Sequence, residues 1–322
     1  MVFKKNNIRL KQELGLSRLL SISLLLSCLL TFSSLSYAQK SSIEESTAEL
    51  ESSLDEDKNA NKPIAKDAFE WQFILDLSVV YDPEIIAGIE QSELLHYFMP
   101  GILVDISYKG FFLQSNQRRS NALLGGTEFG YQLFVEDKWQ LDLITKAYLQ
   151  GYDSDSLIEY GGGDDELLAG LREREGTGGI ALRYSHFFKE SLFSIDFAYG
   201  SAGDDVNGKH VGGIIIDSFY SYLLPYRNWD IYLGGGLTYF SQDIVDYYIG
   251  VSPEESTDNR AEHTAKGGFR GQLEVYAQYP LSASWSFNTG ITHSIFSNNV
   301  KESPIVDKSQ TIQVMLGVLY VF

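Results

Sequence analysis

From Phe69 to Phe322 apolar and polar positions alternate with a period of two, broken at intervals by turn residues. Successive side chains of a β-strand point to opposite faces, so this period predicts strands with one apolar and one polar face. Twelve such runs are read, at 69–80, 100–108, 110–116, 126–136, 139–151, 177–188, 192–201, 210–224, 229–241, 268–280, 284–296 and 310–322. In the first, Trp71, Phe73, Leu75, Leu77 and Val79 oppose Gln72, Asp76 and Ser78. In the fifth, Trp139, Leu141, Leu143, Ala147 and Leu149 oppose Gln140, Asp142, Lys146 and Gln150. In the ninth, Trp229, Ile231, Leu233, Leu237 and Tyr239 oppose Asp230, Tyr232, Gly234, Gly236 and Thr238.

The connections alternate in length. Lys109-Gly110, Asp137-Lys138, Lys189 to Ser191, Pro225 to Asn228 and Leu281 to Ala283 are tight, and between them fall the longer 81–99, 117–125, 152–176, 202–209, 242–267 and 297–309. Short turns at one end and long loops at the other are the pattern of an outer-membrane barrel, with the short turns periplasmic. The expected fold is therefore all-β, a transmembrane antiparallel up-and-down β-barrel of about twelve strands over residues 68–322. A soluble sandwich also alternates, so two further features decide between them. Trp71, Trp139, Trp229 and Trp285 all begin strands that run in one direction, which places four amphipathic rings at one height as a periplasmic aromatic girdle. The last strand carries Ile312, Val314, Leu316, Val318, Tyr320 and Phe322 at alternate positions and ends on the aromatic itself. Leu316, Val318, Tyr320 and Phe322 are thus expected to form the signal that the barrel-assembly machinery reads.

The chain ahead of the strands fits export. Lys4, Lys5, Arg9, Lys11 and Arg18 precede an apolar stretch from Leu19 to Ser33, and Ser36-Tyr37-Ala38 is a small-x-small site before Gln39. Residues 1–38 read as a signal peptide cleaved between Ala38 and Gln39, since the run is too short for a retained membrane helix. Cys28 sits in a loose lipoprotein-like box, but apolar residues continue past it, and without residues 1–38 the chain has no cysteine for a disulfide or thiolate metal site. Residues 39–67 are acidic and nearly free of aromatic and β-branched side chains, the composition of a flexible periplasmic segment. The whole chain carries −18, and loss of five basic residues and one acidic one with the signal leaves about −22. Nucleic acid needs a basic face and is not an expected partner. The 20 Tyr, 19 Phe and 4 Trp, with no run of eighteen apolar residues after the signal, point either to a soluble β protein or to a barrel, and for the barrel the expected partner is outer-membrane lipid.

Several pieces resemble one family. Gly170-Leu171 with Arg174, Asp205-Val206-Asn207-Gly208 leading to Gly212, Tyr247-Tyr248-Ile249-Gly250-Val251, Trp285, Ser303-Pro304-Ile305-Val306 and the final Leu319-Tyr320-Val321-Phe322 stand in the order and spacing of the MipA/OmpV outer-membrane proteins, named for an MltA-interacting protein. The likeness covers roughly 69–322 and is weaker before residue 120, where Tyr81-Asp82-Pro83 echoes only part of the family's opening. The resemblance implies an outer-membrane barrel without known catalysis. Some members are scaffolds between a lytic transglycosylase and a peptidoglycan synthase, and others are adhesins or porin-like. No set of functional residues is shared among those roles, so none is carried over.

Candidate chemistry rests on the polar face. Alternation places Asp76, Asp105, Glu128, Asp142, Asp196, Asp217, Asp230 and Glu274 in the lumen, with Lys109, Lys146, Arg183 and Arg270. Charges taken from bulk water must pair, so a hydrogen-bonded plug is the plainer reading and a narrow cation-preferring passage the functional one. A lipid-facing hydrolase would need a serine and a histidine together; His186 and His293 face outward, but Ser294 adjoins His293 and so points to the other face. The acidic loop with Asp153, Asp155, Asp164, Asp165 and Glu166 lacks the spacing of a twelve-residue calcium loop, and Gly161 to Gly163 lacks the following lysine of a nucleotide loop. No cofactor, metal site or catalytic residue is expected. The expected function is a scaffold for peptidoglycan-remodelling enzymes, with a narrow cation-preferring pore or a surface adhesin as the alternative.

Overall fold

The computed structural model describes residues 69–83, 85–86, 98–115, 127–155, 158, 165–205 and 207–322. The expected signal peptide, the cleavage pair Ala38 and Gln39, and the acidic segment 39–67 lie outside these residues.

Twelve antiparallel strands close into a barrel: β1 (Glu70–Tyr81), β2 (Phe98–Tyr108), β3 (Phe111–Ser115), β4 (Thr127–Val135), β5 (Trp139–Leu149), β6 (Thr177–Phe187), β7 (Ser191–Asp204), β8 (His210–Tyr226), β9 (Trp229–Phe240), β10 (Gly268–Pro280), β11 (Trp285–Phe296) and β12 (Gln310–Val321). Each strand pairs with its chain neighbours, and β1 closes the ring against β12, with Leu75 opposite Tyr320 and Ser78 opposite Gly317. Closure leaves no edge strand whose backbone groups would meet hydrocarbon unpaired. The turn between β2 and β3 is two residues long and both have positive φ, 51° at Lys109 and 85° at Gly110, which matches the right-handed twist of the flanking strands. Lys109 is therefore exposed at the turn and does not belong to the lumen charges, because the hairpin turns one residue before alternation would send it inward.

Burial follows the period of two. In β1 Ile74, Asp76, Ser78 and Val80 are buried, while Trp71, Val79 and Tyr81 are exposed on the outside. The inside is filled at several heights. Ile74, Leu103 and Leu319 pack together toward the turn end, and Val80, Tyr276 and Met315 pack further up. At the loop end the largest apolar cluster joins strand residues such as Ile144, Ala198 and Ile215 to side chains from the long connections.

Among the described residues those connections hold α1 (Asp165–Leu168), α2 (Gln242–Ile249) and α3 (Asn298–Lys301). A 3-10 turn at Pro253–Glu255 follows α2. The segment 242–267, read from sequence as a loop, thus begins with two turns of helix. Its residues Ile244, Val245, Tyr247, Tyr248 and Ile249 are buried, a pair and a run of three at helical rather than period-two spacing.

Candidate functional site: the filled lumen and its lid

Mid-barrel, the lumen charges form one network. Arg183 donates from Nη1 to Glu128 at 2.5 Å and from Nε and Nη2 to Asp196 at 2.7 and 3.0 Å. Lys146 Nζ bridges Asp196 at 2.7 Å and Asp217 at 2.9 Å. Gln114 donates to Glu128 at 2.5 Å, Thr238 to Asp217 at 2.8 Å and Gln140 to Asp142 at 2.7 Å. These contacts follow from register, since Asp142, Arg183, Asp196, Asp217, Thr238 and Arg270 stand opposite one another from β5 across to β10. Asp76 is buried apart from this network and accepts from Ser78. Glu274 accepts from Thr292 at 3.4 Å, and Arg270 donates to Thr238 at 3.4 Å. Asp105 is half-buried in β2, while Asp230 is exposed at the turn end of β9. Sequence placed twelve charges on one face, Lys109 among them; the fold joins five, Glu128, Lys146, Arg183, Asp196 and Asp217, into a continuous set of ion pairs.

Above this network the long connections pack into a lid. Helix α2 lies against the inner face of β8, where Gly213 leaves no room: a Cβ there would come within 2.1 Å of Ser241 Oγ and 2.9 Å of Ile244. Leu168, Ile244, Ala265 and Ile305 are fully buried among these segments. Tyrosines tie the helix to the start of β6. Tyr248 donates to the Glu175 carbonyl at 2.6 Å and accepts from Thr177 at 2.9 Å, Tyr247 accepts from the Glu175 N–H at 2.9 Å, and Tyr152 donates to the Tyr248 carbonyl at 2.5 Å. Burial pushes the Tyr152 and Tyr248 phenols up to about 12, so both remain neutral donors.

Glu255 is the lid's electrostatic centre. Arg174, fully buried, reaches its two carboxylate oxygens at 3.0 and 3.2 Å, the Arg172 N–H donates at 3.1 Å, and the Ser252 hydroxyl at 3.1 Å; the Ser252 N–H, at 3.2 Å, makes one half of a capping box whose other half is the Glu255 N–H donating to the Ser252 side chain. Burial acts to raise this carboxyl, but the hydrogen bonds and charge of Arg174 and the two backbone donors outweigh it and hold it at about 2, below its usual 4.5. Arg260, also buried, clamps the backbone instead, donating to the carbonyls of Glu255 at 2.8 and 2.5 Å, Leu167 at 2.5 Å and Ala169 at 3.1 Å. Arg172 and Arg174 also lie over the Tyr247 ring, 5.3 and 5.9 Å from its centroid.

Gly208 and Gly170 have positive φ, 71° and 74°, whereas Gly250 is extended and is needed because a Cβ would meet the Asp246 carbonyl at 2.3 Å. Tyr247 and Tyr248 belong to the cap over the lumen. Glu255 and Arg260 carried no signal in the sequence, because only folding brings them to Arg174 and to α1. On the outer face, Trp71, Trp139, Trp229 and Trp285 stand at the turn-end starts of β1, β5, β9 and β11, with Trp285 4.9 Å from Tyr320 and Trp229 5.1 Å from Tyr279. Leu316, Val318, Tyr320 and Phe322 alternate outward along β12 and its end. His293 Nε2 lies 3.2 Å from Gln310, and His186 Nδ1 2.9 Å from the Tyr184 hydroxyl, so neither joins a serine.

The pieces that make the lid and the closing strand lie within a stretch, residues 75–322, that matches the family described as MltA-interacting protein MipA. The chain belongs to this family. Among its relatives, the MltA-interacting protein of Escherichia coli (strain K12) is 27% identical over 216 residues, covering 64% of this chain and 79% of that protein. The outer membrane protein OmpV of Vibrio cholerae is 27% identical over 233 residues, or 69% of this chain and 78% of that one. The solved NanC porin covers 76% of this chain and 98% of its own length at 10% identity, with a TM-score of 0.38. This MipA-family chain is an outer-membrane β-barrel protein, and its relatives are named as outer-membrane or interaction proteins.

Proposed function

We propose that this MipA-family barrel is an interaction protein that holds a peptidoglycan-remodelling enzyme, of the lytic transglycosylase kind, at the periplasmic end of the outer membrane. The observation that carries the reading is the packing of the inner face: apolar clusters, a set of ion pairs running from β4 to β8 and a packed lid lie inside the barrel at successive heights. A barrel whose inside is committed to its own packing offers partners its turns, its outer face and its N-terminal segment. The relative named an MltA-interacting protein points to the class of partner. The acidic residues 39–67 suit a basic partner surface, and a peptidoglycan synthase would be a second partner of the same complex. The closing strand, with Leu316, Val318, Tyr320 and Phe322, is the part offered to the assembly machinery.

The test is capture of a purified lytic transglycosylase by the folded chain in lipid nanodiscs, with and without residues 39–67. Binding that weakens when the segment is removed is the expected result; no binding by either form refutes the reading. Planar-bilayer conductance of the same preparation is expected to be silent. A steady cation-selective current abolished by Asp142→Asn or Asp230→Asn would replace the scaffold with a narrow pore.

A further inference from the structure

The outer face of β7 and β8 carries an arrangement that an interaction barrel does not require. Ser201 Oγ lies 2.6 Å from His210 Nε2, and His210 Nδ1 lies 3.2 Å from Asp204 Oδ1. Each imidazole nitrogen is engaged by a different group, a hydroxyl on one side and a carboxylate on the other. That is the relation of nucleophile, base and orienting carboxylate in a hydrolytic triad. All three residues are exposed.

The backbone is built to produce this grouping. Alternation along β7 sends Phe197, Tyr199 and Ser201 outward, so Asp204, three residues on, would point inward. The register passes from Ser201 opposite Gly212 to Asp204 opposite His210, with Ala202 and Gly203 both buried across from Val211 alone. This bulge returns Asp204 to the face of Ser201, the kind of re-aiming for which bulges recur beside active sites. The connection to His210 is fixed by Asp205, whose carboxylate accepts from the N–H groups of Asn207 at 2.8 Å and Lys209 at 2.9 Å.

Its height is that of the outer lipid–water boundary. Ser191 starts β7 at the turn end and Ser201 follows ten positions later. At about 3.3 Å per residue and a tilt of about 40°, that rise is roughly 25 Å, the height of a barrel's apolar band. Phe197 and Tyr199, 54% and 64% exposed, are the last large apolar side chains below the serine. Across from Ser201, Gly212 presents no side chain, and a Cβ there would meet the Tyr199 hydroxyl at 2.6 Å. The phenol thus stands over Gly212, on the face that carries the serine.

We propose that Ser201, His210 and Asp204 form a hydrolytic site for carboxylic esters of lipids in the outer leaflet. Ser201 Oγ bonds to the ester carbonyl carbon while His210 Nε2 takes its proton. The ester C–O bond then breaks, the proton passes to the departing alkoxide, and Ser201 is left acylated. Water attacks the acyl-serine as His210 takes one of its protons; the fatty acid leaves and the proton returns to Ser201. Asp204 is a positioning residue that holds the imidazole in the tautomer this needs. The site lies on the outer face at the opposite end from the periplasmic turns, so it stands or falls independently of the scaffold reading.

The experiment treats the full-length folded barrel, its folding checked by heat-modifiable gel mobility, with a fluorophosphonate probe and maps the adduct by mass spectrometry. Labelling at Ser201 that falls at least about 100-fold in Ser201→Ala and in His210→Gln is the expected result. Fatty acid release is then measured from glycerophospholipid vesicles and from acylated-saccharide lipid, and release from either one identifies the source. Asp204→Asn should lower kcat by about 10² to 10⁴ with KM unchanged, and Asp204→Glu should restore part of it. A folded barrel with no label on Ser201, or with label that persists in His210→Gln, overturns the proposal. Label without fatty acid release from either lipid overturns its lipid substrate.

Discussion

Replacing Glu255 by Gln tests whether the lid is held by electrostatics or by apolar packing alone. The substitution keeps shape and one acceptor oxygen but removes the charge facing Arg174, which is fully buried and reaches both carboxylate oxygens within 3.2 Å. It also puts an amide N–H₂ where an oxygen accepts from Arg174 and Arg172, or from Arg174 and Ser252. Breaking one partner of a buried, hydrogen-bonded ion pair costs about 3–5 kcal/mol, because the remaining charge has no counterpart and cannot return to water. If the lid opens as a local unit, this raises its opening equilibrium between about a hundredfold and several thousandfold. Hydrogen exchange of the α2 amides, residues 242–249, reads that equilibrium while the strand amides serve as an internal control. Protection in α2 that stays within about threefold of the parent would refute the reasoning and assign the lid's stability to its apolar contacts.

The same carboxylate sets an acid limit on the lid. Its folded value of about 2 lies below the unfolded 4.5, so its contribution is complete above 4.5 and is lost as pH falls toward about 2; protection of the α2 amides, relative to their intrinsic exchange at each pH, should fall over that window and be flat above it. Arg183→Ala should leave Glu128 without its cation and Asp196 with Lys146 alone, lowering barrel stability by about 3–5 kcal/mol, seen as a lower temperature for loss of heat-modifiable mobility. Gly317→Ala should strain the seam, because a Cβ there would lie 2.0 Å from Ser78 Oγ and 2.8 Å from its Cα; urea unfolding should shift to lower concentration by an amount worth about 1–3 kcal/mol. Deleting Phe322 should slow assembly into the outer membrane in cells while purified chain still refolds in detergent, and equal assembly rates would count against the terminal strand as the signal.

What the chain determines by itself is the barrel. A period of two with a one-residue slip would expose every apolar set to the lumen, so alternation such as Trp229 to Tyr239 in β9 specifies face and register together, and the strand limits follow within a few residues. The alternating short and long connections add the direction of each strand, and a terminal strand ending at Phe322 adds the seam. Alternation put Asp76 and Asp217 on the face that is buried, whereas Lys109 fell on a turn that the period did not show. Pairing was not legible, because which charge meets which depends on register across several strands: Lys146 reaches Asp196 and Asp217, whose strands lie two and three places away around the barrel. The lid and the outer triad were hidden for a stronger reason. Arg174 meets Glu255 across 81 residues through an irregular loop, and Asp204 shares a face with Ser201 only because a bulge breaks the alternation that made the rest readable. Periodic structure can be read from a chain because each residue repeats the constraint of its neighbours, whereas contacts between loops and departures from the period are set by closure of the whole barrel.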